Sequence, residues 1–338
     1  MAVTQRDIAD HLGVSVATVS RALNNSSNLK PRTRSKVMDA AAKLGYDPPN
    51  AYRKPNGTAR DTRNFGVLLR YDGPSAAPGH TRMLAGISQM CESRGKLLNV
   101  HYAPGDRLDK LTGENPPALL EPNRVGGLIL LNYFPEDIVE WLACRWPVVV
   151  VHHYSPGLDV DIIEVDATDG IGRLVQRLQD LGHRKIGFIG DARRYEWTHA
   201  RHAAFLQALS TLDMEYDPSL FTDARSNNPG EIGDWMETHM REGVSAWMCA
   251  CDHLAQAVGE ELLEREYSIP ADVSLTGFDG TNSLPDGRPI TSIETPFESI
   301  GATAAEALVR RLEYPQAARQ HILVPGRVVE GATIGPVT

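Results

Sequence analysis

The 338-residue chain holds only four cysteines, Cys91, Cys144, Cys249 and Cys251. So few thiols exclude a disulfide-built scaffold and suit a reducing compartment. Cys249-Ala250-Cys251 lies in an apolar, strand-like run with no second ligand pair, so buried thiols are expected there, and neither a metal nor a cofactor. No run of about 18 apolar residues occurs, which leaves nothing for a membrane-spanning helix. The start MAVTQRDIAD lacks the apolar core of a secretion signal, so a cytoplasmic protein is expected, with no membrane partner. No G-x-x-x-x-G-K-[ST], H-E-x-x-H or G-x-S-x-G occurs, and no G-x-G-x-x-G follows the first strand; Asp169-Gly-Ile-Gly lacks the third glycine. Finally, glutamate is missing from residues 1–63. That stretch carries eleven Lys or Arg against five Asp, or +6, so the rest must carry −15 to reach the total of −9. A basic head on an acidic body points to a polyanion partner for the head alone.

The head reads as three short helices. Thr4 precedes Gln5-Arg6-Asp7, a hydroxyl cap with an acid three residues on. Ile8, Ala9 and Leu12 form one apolar face, and Gly13 can take the left-handed conformation that turns the chain. Ser15 can cap a second helix with Val19 and Leu23 as its buried stripe. Pro31 suits a first helical position, with Val37, Met38, Ala41 and Leu44 following at helical spacing before Gly45. Helix, glycine turn, helix is the geometry of a helix-turn-helix, whose second helix enters the major groove. Val16, Ala17 and Arg21 then face outward. Small side chains allow close approach to the bases, and Arg21 can pair bidentately with guanine. Thr18, Ser20, Asn24, Thr33 and Arg34 are candidate phosphate contacts, and Thr4 and Ser15 are candidate DNA-binding residues beside them. A three-helix bundle with a solvated face has the same pattern.

The run TQRDIADHLGVSVATVSRALN resembles the headpiece of the LacI/GalR repressor family, T-x-x-D-I-A followed by G-V-S-x-x-T-V-S-R-x-L-N. The resemblance implies double-stranded operator DNA as partner and a homodimer reading a pseudo-palindrome. In that family the segment after the headpiece forms a hinge helix whose leucine wedges into the minor groove. Here residues 47–63 read DPPNAYRKPNGTARDTR, and the wedge position falls on Pro55 or Asn56. Pro55 obstructs a helix. Either Tyr52 or Pro55 replaces the wedge, or the linker stays extended with Arg53, Lys54 and Arg60 on phosphates.

From residue 64 strands and helices alternate: NFGVLLRY, LLNVHY, VGGLILL, PVVVVH, DIIEV, KIGFIG, SAWMCA and DVSLTGF read as strands. Near-continuous apolar runs suit strands buried on both faces of a parallel sheet. The expected class is α/β, a body of two lobes built on two doubly wound parallel sheets, preceded by an all-α domain. The boundaries expected are 1–46 for the headpiece, 47–63 for the linker and 64–338 for the body. Lobe 1 takes about 64–165 and 295–323, and lobe 2 about 166–294 and 324–338. Ligands of such folds sit beyond the carboxyl ends of strands, which directs attention to Asp72, Asp169, Asp191, Asp252 and Asp279. Acids ringing a cleft can accept from sugar or nucleoside hydroxyls; the same residues also serve as helix caps.

LGHRKIGFIGD, RHAAFLQAL, IPADVSLTGFD and ITSIETPFESIG resemble landmarks of the same family's effector domain, which has a periplasmic-binding-protein-like fold. The resemblance puts the effector-contacting arginine on Arg201 and two acids on Asp169 and Asp279. The family's N-P-F-F is here Ala77-Pro78-Gly79-His80, and Cys251 stands before Asp252, so the ligand differs from the family's. Tyr71, Tyr195, Trp197 and Phe297 are candidate stacking surfaces, and His80 is a candidate cleft residue. The function expected is a non-enzymatic, sequence-specific repressor gated by a small effector, a sugar or sugar derivative. Alternatives are a purine or a partner protein as signal, or a sugar-binding protein or enzyme whose DNA binding is secondary.

Overall fold

In the computed structural model the described residues are 4–23, 31–44, 63–71, 78–113, 116–121, 123–153, 155, 157–190, 196–223 and 229–337. They divide into two compact units, one holding the amino-terminal helices and the other the α/β body.

The first unit is built from α1 (Gln5–Leu12), α2 (Val16–Leu23) and α3 (Pro31–Leu44). Helices this short are marginal alone; here their apolar faces close on one another through Ile8, Ala9, Val19, Ala22, Val37, Ala40 and Ala41. The ends are set locally. Thr4 and Asp7 form a full capping box, and Gly13 ends α1 at φ 63°. The Thr18 amide donates to Ser15 Oγ at 3.1 Å, so Ser15 starts α2.

The body's first lobe is a six-stranded parallel sheet. Its strands are β1 (Asn64–Tyr71), β2 (Leu97–Pro104), β3 (Gly127–Leu131), β4 (Val148–Val151), β5 (Asp161–Asp166) and β11 (His321–Pro325), in the order β11-β5-β4-β3-β1-β2. The runs GLILL and VVVV are fully buried, as central strands covered on both faces must be. Helix α4 (Pro78–Ser93) packs on α10 (Phe297–Glu313), and α5 (Glu136–Ala143) lies between β3 and β4 in the chain. The run LLNVHY corrects the expectation of burial on both faces. β2 is the sheet edge, and Leu97, Val100 and Tyr102 are exposed by 65%, 39% and 49%.

The second lobe holds β6 (Ile186–Gly190), β7 (Phe221–Asp223), β8 (Ala246–Cys249) and β9 (Ser274–Thr276), parallel in the order β7-β6-β8-β9. Helices α6 (Ala167–Asp180), α7 (Glu196–Thr211), α8 (Pro229–Arg241) and α9 (Asp252–Glu264) flank them. Ile171, Leu174, Val175 and Leu178 are the buried stripe of α6. The chain crosses between the lobes at the start of α6, again beside β10 (Ser292–Glu294), and last beside β12 (Arg327–Val329). β10 and β12 pair antiparallel as a separate two-stranded ribbon.

Candidate functional site

On the headpiece, Val16 stands 44% exposed at the first position of α2. Ser15 Oγ lies 2.9 Å from Thr18 Oγ1, so both hydroxyls belong to the cap of that helix. Thr4 Oγ1 donates to Asp7 Oδ2 at 2.7 Å, which commits it to the first cap. Thr33 is half-buried on α3. Ala17, Ser20, Arg21 and Arg34 lie on the helices, where only their backbone is described; Asn24, Tyr52 and Arg53 lie outside the described residues, as does the linker segment 45–62.

In the body, Arg201 sits on α7 and reaches the carboxyl ends of two neighbouring strands. Its Nη1 donates to the Ala250 carbonyl, just past β8, at 2.6 Å. Its Nη2 donates to Asp279 Oδ1, three residues past β9, at 2.9 Å. The guanidinium lies 3.7 Å from the Phe278 ring centroid and 4.3 Å from that of Trp197, a stacked setting that suits a planar cation. Thr295, on the crossover, also donates to Asp279 Oδ1, at 3.1 Å. Asp279 has φ 108°, a conformation costly for any residue with a Cβ. Its backbone bonds to Ile293 and Thr295 hold it there.

The first lobe contributes groups that the search for acids passed over. His152 follows β4 with φ 57°, and Asn132 follows β3 with φ 72°. Asn132 Nδ2 donates to the Arg70 carbonyl at 2.9 Å and contacts His80 Nε2 at 2.7 Å. The His152 ring meets Phe297 edge-on at 6.5 Å, and Phe297 also packs where Gly79 leaves room for it. Among the described residues, four buried polar atoms here have no hydrogen-bond partner: His80 Nδ1, His152 Nε2, Thr198 Oγ1 and Arg201 Nε. Left-handed residues after three strands, with unpaired polar atoms beside them, are what a site at strand ends requires. Looking for any polar residue after a strand, acidic or not, would have found His152 and Asn132.

Two of the candidate acids already have partners within the protein. Asp252 is fully buried; Oδ1 accepts from Ser292 Oγ at 2.6 Å and Oδ2 from the Thr281 amide at 2.6 Å. It staples the start of α9 to the loop after β9. Asp169 is in the first turn of α6, where Asp166 is the cap, and its carboxylate pairs with Arg173 one turn on at 3.0 Å. Among the described residues Arg201 is thus held by one acid, Asp279. Phe297 is 8% exposed and has the Arg82 guanidinium over its ring at 5.7 Å. Trp197 is half-buried, and Asp72 lies outside the described residues, as do Asp191 and Tyr195. Burial pushes the Cys251 thiol up to about 12, so it is no nucleophile at neutral pH. Among the described residues no cluster of His, Cys, Asp and Glu could hold a metal.

Burial, the Arg201 charge and His80 hold the His152 pKa down at about 3, against 6.5 for an ordinary histidine. Between those values the unfolded chain carries a proton on this residue that the folded chain refuses. Its contribution to stability therefore falls as pH drops below 6.5, by about 1.4 kcal/mol per pH unit once the unfolded ring is charged. Asp252, raised to about 6 chiefly by burial from 3.8, acts in the opposite direction between those values. His152→Phe is expected to flatten the acid side of the stability curve in urea titrations. Equal acid slopes for variant and wild type would disprove a neutral buried ring.

Residues 4–49 match the model of bacterial regulatory proteins of the lacI family, and residues 175–334 match that of the periplasmic binding protein-like domain. The chain is 27% identical over 317 residues to the ribose operon repressor of Haemophilus influenzae, covering 92% of each protein. It is 25% identical over 332 residues to the HTH-type transcriptional repressor PurR of Mannheimia succiniciproducens, covering 96% of this chain and 97% of that one. The fold matches that of the transcriptional regulator CelR in its cellobiose complex, with a TM-score of 0.71 at 23% identity over 98% of this chain and 99% of that one. It also matches the Lac repressor dimer bound to operator and the anti-inducer ONPF, with a TM-score of 0.65 at 23% identity over the same shares. A capped helix-turn-helix and a two-lobed body with polar strand ends, each matched by its model, give this chain a lacI-family helix-turn-helix domain followed by a periplasmic-binding-protein-like domain.

Proposed function

We propose that the protein is a sequence-specific transcriptional repressor that binds a pseudo-palindromic operator as a homodimer and is gated by a small effector held between its lobes. The observation that carries the gating is the set of buried, unpaired polar atoms contributed by both lobes, His80 and His152 from one and Thr198 and Arg201 from the other. Buried polar groups are costly without partners, and a bound ligand supplies them. The basic head supplies the DNA affinity. The exposed apolar edge of β2, with Leu97, Val100 and Tyr102, is the face a second copy would cover, since an open, apolar sheet edge is otherwise a liability. Closure of the lobes on the effector would shift the paired first lobes and so the spacing of the two headpieces. Spacing sets the effective concentration of the second headpiece at its half-site. Binding without turnover fits a cleft in which Asp252 is locked into the protein and Asp279 into an ion pair.

Operator selection from random duplexes, followed by mobility shifts with sugars, sugar acids and purines, tests the reading. One compound is expected to change operator affinity by about 5–150-fold. No preference for any duplex over scrambled competitor, with or without each compound, would overturn it. Arg21→Ala is expected to cost about 1–3 kcal/mol at a single guanine and to relax selectivity there; a uniform loss over all sequences would make Arg21 a phosphate contact.

A further inference from the structure

Resting on the cleft as the effector site, we infer that His80 is a specificity residue. Asn132 holds its ring as the neutral tautomer with the hydrogen on Nδ1, and that N–H requires a hydrogen-bond acceptor from the effector.

The tautomer follows from the neighbours. Arg70 belongs to β1, Asn132 follows β3, and His80 lies in the first turn of α4. One terminal atom of the Asn132 amide lies 2.9 Å from the Arg70 carbonyl oxygen. Two carbonyl oxygens would repel there, so that atom is the amide nitrogen. The same nitrogen lies 2.7 Å from His80 Nε2. An amide nitrogen carries two hydrogens and offers no lone pair, so it donates one to each neighbour and Nε2 accepts. The single ring hydrogen is then on Nδ1. Charging the ring would place a second hydrogen on Nε2, directly against the Asn132 donor. Burial acts in the same direction and holds the His80 pKa below the ordinary 6.5.

Nδ1 is buried and has no partner among the described residues. It belongs to the cleft wall. Gly79, the residue before it, leaves the room that Phe297 fills, and the Phe297 ring meets His152 edge-on. A buried N–H without an acceptor is destabilising, and an effector atom supplies what the chain does not. The matching group is an oxygen or ring nitrogen with an open lone pair, such as a hydroxyl, a sugar ring oxygen, a carbonyl or a purine ring nitrogen. An ammonium or N–H at that point is rejected, because two donors would face each other. His152 Nε2 and Thr198 Oγ1 can each donate or accept; His80 discriminates because its role is fixed. The selection is by lone pair and not by charge.

Proton–nitrogen correlation spectra of the full chain with isotope-labelled histidine read the tautomer without any ligand. His80, assigned by the signal lost in His80→Gln, is expected as the neutral Nδ1–H form near neutral pH. Asn132→Gly removes the amide donor and tolerates the φ of 72°; the Nε2–H form should then appear. An Nε2–H or charged ring in the wild type, or an unchanged Nδ1–H form in Asn132→Gly, would overturn the inference. Calorimetric titration with D-ribose, D-glucose, D-gluconate and hypoxanthine supplies the second arm. For a compound that binds, His80→Phe is expected to weaken binding about tenfold, and His80→Gln, which keeps an N–H, about two- to threefold. Equal affinities for wild type and His80→Phe would remove the donor role. The gated-repressor reading fails on a different result, a bound compound that leaves operator affinity unchanged.

Discussion

Arg201→Ala is expected to destabilise the body by about 3–5 kcal/mol and to abolish any effector response. The side chain is 6% exposed, and its loss leaves three problems. Asp279 keeps its charge without the cation that lies 2.9 Å away. The Ala250 carbonyl loses its donor. The φ of 108° at Asp279 loses part of the bonding that offsets its strain. Arg201→Lys restores the charge without the planar fork and should recover only part of the loss. Combining Arg201→Met with Asp279→Asn should cost less than the sum of the two single changes, because neither partner is then left charged and alone. Urea denaturation of the five variants, the two single changes of the pair included, measures the stability differences. A loss under about 1 kcal/mol for Arg201→Ala would mean that water already screens the pair.

The second large effect belongs to the packing of α4 on α10. Gly86 lies against the backbone of Glu298, and Gly301 lies against the backbone of Met83. The two glycines face each other's helices reciprocally, so the axes approach until only hydrogen fits between them. A methyl at either position would meet a carbonyl oxygen well inside van der Waals contact, and a backbone carbonyl cannot rotate away. The helices must part, which loosens Met83, Ile87, Ile300 and Ala304, each at most 1% exposed. Gly301→Ala is therefore expected to cost about 3–4 kcal/mol despite the better helix propensity of alanine. Gly172 is the internal control. It is also helical, nothing lies within 4 Å of an added Cβ, and Gly172→Ala should stabilise by about 0.5–1 kcal/mol. Similar effects at the two positions would show that helix propensity outweighs the close approach.

The candidate site was partly legible beforehand. Arg201 and Asp279 were named, and the structure brings them together. Asp252 and Asp169 were named by the strand-end rule that also pointed to Asp279, whereas Arg201 came from the family resemblance; the two acids turn toward Ser292, Thr281 and Arg173. The three acids all lie near strand ends, and residue type does not reveal which way a carboxylate turns. Asp252 turns toward Ser292, 40 residues on, and only the crossover at β10 supplies that partner. His152 and Asn132 were missed because the rule was applied to acids alone. The apolar run LLNVHY was read as interior. Its composition is the same whether helices or a second chain cover it, so its place at the edge could not be seen.

What the chain determines on its own is local. The Thr4–Asp7 box, the Gly13 turn, the Ser15 cap and the stripe Ile171, Leu174, Val175 and Leu178 each involve residues within one or two turns. At that range residue identity and spacing settle the geometry. The strand order, the edge position of β2, the Arg201–Asp279 pair 78 residues apart and the unpaired imidazoles were decided only by tertiary structure. They depend on which strand lies beside which, and that is settled by burial summed over the whole body, where no single side chain carries the information.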